Sequence, residues 1–331
     1  MKKRMKYLLI IIGILVSITL LNKSSLFDDK VLFSSDSHSK ILEDGNDEQI
    51  IYMSHLNGRE ELCKINPDGT GYAQLTRNAA RSEYQPHFSS DNKFITFNTY
   101  RYGGWKLAKS DVNFKNVEKL VKKTVGYEYD ASWSSDDKKV VYIGFNNGNS
   151  GKRQIFIADA DGGNSRVLTK GYEDKKHYAP VFSPTNELIY FYADTENGAY
   201  DIFSMKADGS NRKNLTQSSN THDFVPAISP KNDKLAYYRL DNSNNINIIV
   251  LDLKTNAKTN ITEIANFKSP LNNWELPFFA YGLDWNPAGD TLVFSSSADG
   301  DLDIYTIKDD GSSLKKLTNN TWADAQPDWS N

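Results

Sequence analysis

One alternating pattern of apolar and polar residues returns along the chain. Each copy has an apolar or aromatic residue, then Ser or Asn, a polar turn and a run typical of a β-strand, as in residues 87–97 and 284–294. The first apolar residue of the copy, here called the anchor, recurs at intervals of 44 to 57 residues. The anchors are Phe88, Trp133, Phe182, Ile228, Trp285 and Trp329. A period of this length, carried by strand and turn signals, is typical of β-propellers and other repeat arrays.

A second motif, an apolar residue usually followed by Thr, comes twenty to thirty residues after each apolar run. Its six copies lie at 74–76, 119–121, 167–169, 214–216, 260–262 and 316–318. Between the two motifs stands another strand-like run and, in four units, an Asp-Gly turn whose glycine supplies the positive φ of a tight hairpin. Each unit therefore has room for about four short strands.

The two ends of the repeat region complement each other. Residues 50–54 form an apolar run with no anchor before it, and residues 326–330 are the first half of the repeat with no run after it. We expect the C-terminal strand to pair with the first blade, which would close a ring and protect its sheet edges. The prediction is an all-β, six-bladed propeller of four-stranded blades over residues 50–331. The alternative is an open solenoid, although no copy resembles a polar capping repeat.

These repeats resemble those of the TolB-like propeller family, also called PD40 or WD40-like repeats. The resemblance covers residues 50–331 and rests on the aromatic anchors and on the SerPro, AspGly and LeuThr signatures. It implies a six-bladed fold and a periplasmic protein that receives protein partners. TolB itself carries an α/β domain before its propeller, and residues 22–49 are too short for that domain. The resemblance therefore does not imply a role identical to that of TolB.

The N-terminus predicts where the propeller works. A basic leader precedes an apolar run that ends at Leu21, which predicts an N-terminal hydrophobic helix, a signal anchor or signal peptide, over residues 1–21. Residues 22–49 are polar and are expected to form a tether. The propeller would then lie on the outer side of the cytoplasmic membrane, N-terminally anchored, or be secreted or periplasmic if the leader is cleaved. The net charge of −3 provides no basic field for nucleic acid.

Acidic and aromatic residues recur four and five positions before the anchors, just ahead of the expected inner strands. In a closed ring they should converge at one mouth of the central channel. This predicted rim comprises Glu83, Tyr84, Glu128, Tyr129, His177, Tyr178, Asp223, Phe224, Tyr281 and Asp324, together with His222, which lies six positions before its anchor. As a binding rim, its acids would hold a cation or a basic peptide terminus and its rings would stack on sugars or apolar side chains. Alternatively, the rings pack between blades and the acids cap turns.

Two further features bear on function. The repeat with anchor Trp285 is preceded by a long loop, 263–279, in which Trp274, Phe278 and Phe279 form a predicted recognition loop or a plug of the channel.

His177 and His222 are candidate metal ligands. Lyases that degrade pectin fragments use channel histidines and a metal on a TolB-like propeller, so the resemblance leaves a metal-assisted carbohydrate-active enzyme as the alternative.

The sequence contains no nucleophile elbow, metalloprotease helix or Walker loop. No catalytic residue is assigned and no cofactor is expected, with a channel-bound divalent cation as the alternative. The favoured interpretation is an extracytoplasmic binding module rather than an enzyme. Its partner would be a protein or a cell-envelope polymer, with the membrane contacted through the N-terminal segment.

Overall fold

The computed structural model describes residues 48–77, 82–122, 126–145, 152–172, 174–269 and 281–331. These residues form six antiparallel four-stranded sheets. The first twelve strands are β1 (Ile50–Leu56), β2 (Arg59–Ile65), β3 (Ala73–Gln74), β4 (Glu83–Phe88), β5 (Phe94–Thr99), β6 (Lys106–Asp111), β7 (Glu118–Lys119), β8 (Tyr127–Trp133), β9 (Lys139–Phe145), β10 (Gln154–Asp159), β11 (Arg166–Val167) and β12 (His177–Phe182). The other twelve are β13 (Leu188–Asp194), β14 (Tyr200–Lys206), β15 (Lys213–Asn214), β16 (His222–Ile228), β17 (Lys234–Leu240), β18 (Ile246–Asp252), β19 (Lys258–Asn260), β20 (Leu283–Trp285), β21 (Thr291–Ser296), β22 (Asp303–Lys308), β23 (Lys315–Lys316) and β24 (Asp324–Trp329). A short helix, α1 (Ile261–Ile264), follows β19.

The sheets are the blades of a closed ring. Blades 2 to 6 each use four consecutive strands, beginning at β4, β8, β12, β16 and β20, and the first strand of each blade is the inner one. Each inner strand contacts the inner strand of the next blade, around the whole ring. The predicted six-bladed propeller is confirmed.

Blade 1 combines both ends of the repeat region. Its sheet order is β24, β1, β2 and β3, so the C-terminal strand is its inner strand. Ile50 pairs with Trp329, and the backbone amide of Gln49 donates to the Ser330 hydroxyl at 2.9 Å. The predicted closure is confirmed. It leaves no unpaired inner strand, which is how a propeller protects its sheet edges.

A bulge interrupts the inner strands three residues before the anchor. The pairing register shifts there in β4, β8, β12 and β16, between residues such as Tyr84 and His87. The residue at this position has a positive φ in five blades: Gln85 (48°), Asp130 (59°), Ala179 (43°), Val225 (50°) and Gln326 (55°). A non-glycine residue in this conformation costs about 1–2 kcal/mol. Such strained bulges are typical of sites where a strand must re-aim its side chains.

The sixth blade has Gly282 at the equivalent position. A Cβ atom placed on Gly282 would lie 2.5 Å from the Cα atom of Gln326 in blade 1. Only glycine therefore allows the inner strands of blades 6 and 1 to approach so closely.

The two repeat motifs meet between neighbouring blades. Gly209, in the Asp-Gly turn of blade 4, lies against the Leu168 carbonyl in the second motif of blade 3. Gly162 and Gly311 make the same approach to Leu120 and Ile261 of the preceding blades. The recurrence of both motifs thus reflects a seam that is repeated around the ring.

The threonine of the second motif is buried and fixes the start of the third strand of its own blade. Thr216 accepts a hydrogen bond from the Ile202 amide at 3.1 Å and donates to Asp201 at 3.0 Å. Blade 2 has Val121 instead, and there the Leu107 amide donates to the Glu128 carboxylate at 3.4 Å. The departure from the motif is thus compensated by a side chain of the next blade.

The predicted N-terminal helix over 1–21 and the tether over 22–49 fall outside the described residues, except for Glu48 and Gln49. Both stay predictions. Within the described part of the chain, no helix has the length and apolar character needed to cross a membrane.

Candidate functional site

The inner strands enclose a central cavity of about 360 Å³, to which all six blades contribute. Two rings of residues form much of its wall. The bulge residues make one ring, Gln326, Gln85, Asp130, Ala179, Val225 and Gly282, in blade order. The residues directly before the anchors make the other, Asp328, His87, Ser132, Val181, Ala227 and Asp284. The cavity is in the size range of small-ligand sites, at its lower end.

The wall of this channel has two unlike halves. Blades 4 and 5 contribute Ala179, Val181, Val225 and Ala227 from the two rings, so their half is apolar. The polar half comes from the four other, consecutive blades and contains His87, Asp130, Asp284 and Asp328. A ligand with one charged end or side and one apolar side would match both halves.

The channel aspartates are held by bonds to the next blade. Asp328 accepts a hydrogen bond from the Phe88 amide at 2.7 Å and one from the His87 ring at 2.9 Å. Asp284 accepts from the Trp329 amide at 2.9 Å, and Asp130 accepts from the Ala179 amide at 2.7 Å. Because each bond joins two blades, the carboxylates are fixed in position before any ligand arrives.

The four ionisable groups influence one another. Burial raises the pKa of Asp284, and the charge of Asp328 raises it further, against the opposing effect of the Trp329 amide. Burial likewise raises the pKa of Asp130. Burial alone would lower the pKa of His87, but Asp328 outweighs it through its charge and its hydrogen bond, so the pKa of His87 is raised. A ligand cation would relieve this crowding of carboxylates.

The TolB beta propeller domain family (PD40) matches residues 44–224 and 192–331 of this chain. The chain belongs to this family. The protein TolB homolog of Chlorobium chlorochromatii (strain CaD3) is 25% identical over 143 residues, which are 43% of this chain and 30% of that protein. The chain thus spans less than a third of the length of this curated relative.

Solved structures share the propeller fold with this TolB-family chain. TolB from Acinetobacter baumannii superposes with a TM-score of 0.70 and 16% identity, over 85% of this chain and 66% of that one. Oligogalacturonate lyase in complex with manganese superposes with a TM-score of 0.57 and 15% identity, over 82% of this chain and 74% of that one. At these identities the likeness shows the fold alone.

In this TolB-family propeller the predicted rim acids lie inside the protein and are paired. They belong to the first two residues of the inner strands rather than preceding them, because the strand pairing continues beyond the bulge. The pairs are Glu83–Arg101 at 2.8 Å, Glu128–Lys106 at 3.7 Å and Asp223–Arg239 at 2.7 Å. Burial raises the pKa of Glu83 to about 7, although Arg101 opposes that shift.

The predicted rim aromatics make ring contacts, several of them with rings of the next blade. Ring centroids are 5.9 Å apart for Tyr129 and Trp105, and 5.8 Å apart for Phe224 and Tyr281. Tyr84 likewise lies 5.9 Å from Trp105. Of all predicted rim residues, Tyr281 lines the cavity and the others do not. This placement favours the packing alternative, and ligand binding by the predicted rim stays a prediction.

The remaining rim residues also bond within the protein. His177 contacts the Arg153 carbonyl at 2.9 Å and Arg212 at 3.0 Å, while the Nδ1 atom of His222 accepts from the Tyr200 amide at 3.3 Å. Tyr178 stacks on Tyr192 with 4.7 Å between centroids. Asp324 accepts from Asn320 at 2.7 Å, and burial raises the pKa of Asp324 to about 6.

A metal role for His177 and His222 also stays a prediction. Across the described ranges, no three His, Cys, Asp or Glu side chains converge as a metal site would require. Trp274, Phe278 and Phe279 fall outside the described residues, so the predicted recognition loop is likewise untested.

Sequence reasoning missed the residues that do line the channel, namely His87, Asp130, Asp284 and Asp328. A signal was available, because the positions one and three residues before the anchor are polar or charged in some copies and apolar in others. This signal could not be interpreted without knowledge of the bulge, which changes the face of the strand on which each residue lies.

Proposed function

We propose that this TolB-family propeller is an extracytoplasmic binding module that receives a cationic group of a polypeptide partner in its central channel. The observation that carries the proposal is the two-sided wall, with fixed carboxylates opposite Ala179, Val181 and Val225. A lysine side chain has the matching chemistry, since its apolar stem ends in an ammonium group. Because the carboxylates are already in place, little ordering entropy is lost on binding.

The size of the cavity supports a small insertion rather than a large interface in the channel. A volume of about 360 Å³ suits one or two side chains or a chain terminus. The rest of the partner would contact the protein outside the channel, and the predicted recognition loop with Trp274 is a candidate for that contact. The extracytoplasmic location is proposed from the leader at 1–21 and from the TolB family.

The proposal is tested by selecting short random peptides on the full-length chain and on an Asp130→Asn/Asp284→Asn variant. Asparagine keeps an oxygen that accepts from the Ala179 and Trp329 amides, so the blades stay joined. The selection is run at pH 9, where Asp284 is deprotonated despite its raised pKa, so that the variant loses two charges. Asp310→Asn is the matched control, because Asp310 is an exposed turn residue that accepts from the Ser312 amide.

We expect the selected peptides to be rich in Lys, Arg or a free amino terminus. Their affinity should fall at least about tenfold in the channel variant, as for the loss of a charge-assisted hydrogen bond, and should be unchanged in the control. Neutral or acidic peptides that bind both variants equally would overturn the proposal. Binding of a cell-envelope polymer alone, with no peptide selected, would also overturn it.

A further inference from the structure

One position of the repeat is occupied differently in blade 4. Five residues before the anchor, blades 2, 3 and 5 have a buried carboxylate that pairs with a cation, which comes from the same blade for Glu83 and Asp223 and from blade 2 for Glu128. These pairs are Glu83–Arg101, Glu128–Lys106 and Asp223–Arg239. Blade 4 has His177 at this position, and His177 still contacts an arginine, Arg212, at 3.0 Å. Arg212 comes from the connection between β14 and β15, whereas the position that holds Arg239 opposite Asp223 in blade 5 is Ala193 opposite His177 in blade 4.

The bonds of His177 fix its protonation. The Arg153 carbonyl can only accept, so the Nδ1 atom of His177 carries the proton, and the Nε2 atom accepts from the Arg212 guanidinium. His177 is fully buried, and burial lowers the pKa of His177 to about 4. The ring is therefore neutral at physiological pH. It orients Arg212 without cancelling its charge.

Two aromatic rings hold the guanidinium of Arg212 in place. Its central carbon lies 4.5 Å from the centroid of Tyr172 and 4.3 Å from that of Phe203. Tyr172 comes from the connection between blades 3 and 4 and is 41% exposed. Arg212 itself is partly exposed and forms no ion pair with any described residue. Of its five N–H donors, one is used on His177.

A second arginine, Arg153 of blade 3, whose carbonyl contacts His177, is also without an ion pair among the described residues. Arg153 donates to the Tyr178 hydroxyl, and its buried Nε atom has no hydrogen-bond partner among the described residues. Partly buried positive charge is unfavourable unless it is paired. The nearby carboxylates of Asp194 and Asp174 act on Arg212 through their charges without forming an ion pair with it, and Asp194 accepts a hydrogen bond from the Lys176 amide at 2.5 Å.

We propose that the junction of blades 3 and 4 contains an anion-binding subsite in which Arg212 receives the carboxylate or phosphate group of a ligand. Guanidinium groups bind both oxyanions through two parallel hydrogen bonds, and His177, Tyr172 and Phe203 already hold Arg212 in one orientation. The subsite shares no residue with the wall of the channel. It does not depend on the function proposed above.

The test is a calorimetric titration of the full-length chain with inorganic phosphate and, separately, with acetate. Ionic strength is held constant with chloride, because screening alone would otherwise change the signal. Three variants are compared. Arg212→Gln removes the charge, and His177→Asp supplies the carboxylate that blade 5 has in Asp223, so that Arg212 is neutralised from within. Arg166→Gln is the control, because it removes an exposed arginine of blade 3.

We expect saturable binding of at least one anion, at least a tenfold loss of affinity in Arg212→Gln and in His177→Asp, and less than a twofold change in Arg166→Gln. Tighter phosphate binding would identify a phosphate-bearing ligand, and tighter acetate binding a carboxylate-bearing one. Absence of saturable binding by the natural chain would overturn the proposal. So would binding that survives in a folded His177→Asp variant or that is lost equally in Arg166→Gln.

A measurement on the natural chain locates the site even if a variant fails to fold. Phenylglyoxal modifies accessible arginines, and mass spectrometry of the digested protein reports the modified positions. The bound anion should protect Arg212 at least about fivefold and should leave Arg166 unprotected. Equal modification of Arg212 with and without the anion would contradict the assignment and leave Arg212 as a packing residue.

Discussion

The seam between neighbouring blades predicts a large difference between two glycines of blade 4. Gly209 and Gly198 both have a positive φ, 95° and 81°. A Cβ atom placed on Gly209 would lie 2.6 Å from the Leu168 carbonyl oxygen of blade 3, whereas one placed on Gly198 meets no atom within 4 Å. Substitution by alanine therefore adds the same backbone strain at both positions but a steric overlap at only one.

The expected losses of stability follow from the backbone strain and from the steric overlap. A left-handed alanine costs about 1–2 kcal/mol, partly offset by the lower conformational entropy of the unfolded chain, which returns about 0.4–1 kcal/mol. Gly198→Ala should therefore lower the free energy of unfolding by about 1 kcal/mol. The overlap at Gly209 forces the seam apart by several tenths of an ångström, and overpacking of this kind adds about 1–3 kcal/mol. Gly209→Ala should therefore lower the free energy of unfolding by about 2–4 kcal/mol.

The assay is equilibrium unfolding in urea, followed by tryptophan fluorescence for the natural chain and both variants. The midpoint of Gly209→Ala should lie below that of Gly198→Ala, with equal slopes if the denatured states are alike. Equal midpoints for the two variants would contradict a steric overlap between Gly209→Ala and the Leu168 carbonyl. In that case the Asp-Gly turns would recur for hairpin geometry alone, without a contribution from the seam.

Three further predictions concern single side chains. Asp223→Ala leaves the Arg239 guanidinium without its buried carboxylate and should lower the free energy of unfolding by about 3 kcal/mol; an unchanged urea midpoint would contradict the pairing. Thr216→Val removes the acceptor of a buried amide and should cost about 1–3 kcal/mol in the same assay, while Thr216→Ser should cost clearly less. Binding of a lysine-containing peptide should tighten between pH 6 and pH 9, because the raised pKa of Asp284 keeps it partly protonated at lower pH and the deprotonated form attracts the ammonium. A titration series at several pH values measures this, and a pH-independent affinity, or one that weakens as pH rises, would contradict the role given to Asp284.

The propeller could be predicted from the sequence because its signals are local. Strand-forming runs, Asp-Gly turns and anchors such as Trp285 each report on a few neighbouring residues, and the half repeat at 326–330 predicts the closure. The compensation at Val121 could not be predicted, because the Leu107 amide finds its acceptor, Glu128, in the next blade.

The channel wall could not be predicted, because its residues are selected by a backbone distortion. In an uninterrupted strand, alternate residues share a face, so positions one, three and five before the anchor would line the channel together. The bulge at residues such as Asp130 breaks that alternation. As a result, Glu83 and Asp223 lie in buried ion pairs, while His87 and Asp284 line the cavity. Local propensity gives no signal for the bulge, because none of the five left-handed residues is a glycine, whereas Gly282 at the equivalent position of blade 6 does not have a positive φ.

Photo-crosslinking of a bound peptide would show directly whether the central channel receives the cationic group of a partner. A peptide selected on the natural chain would carry a diazirine group beside its lysine, and mass spectrometry would identify the residues to which it attaches. We expect attachment to the channel wall, at Gln85, Val181 or Val225, and loss of that attachment in the Asp130→Asn/Asp284→Asn variant. Attachment to the outer strands of the blades, with the channel residues unlabelled, would contradict it.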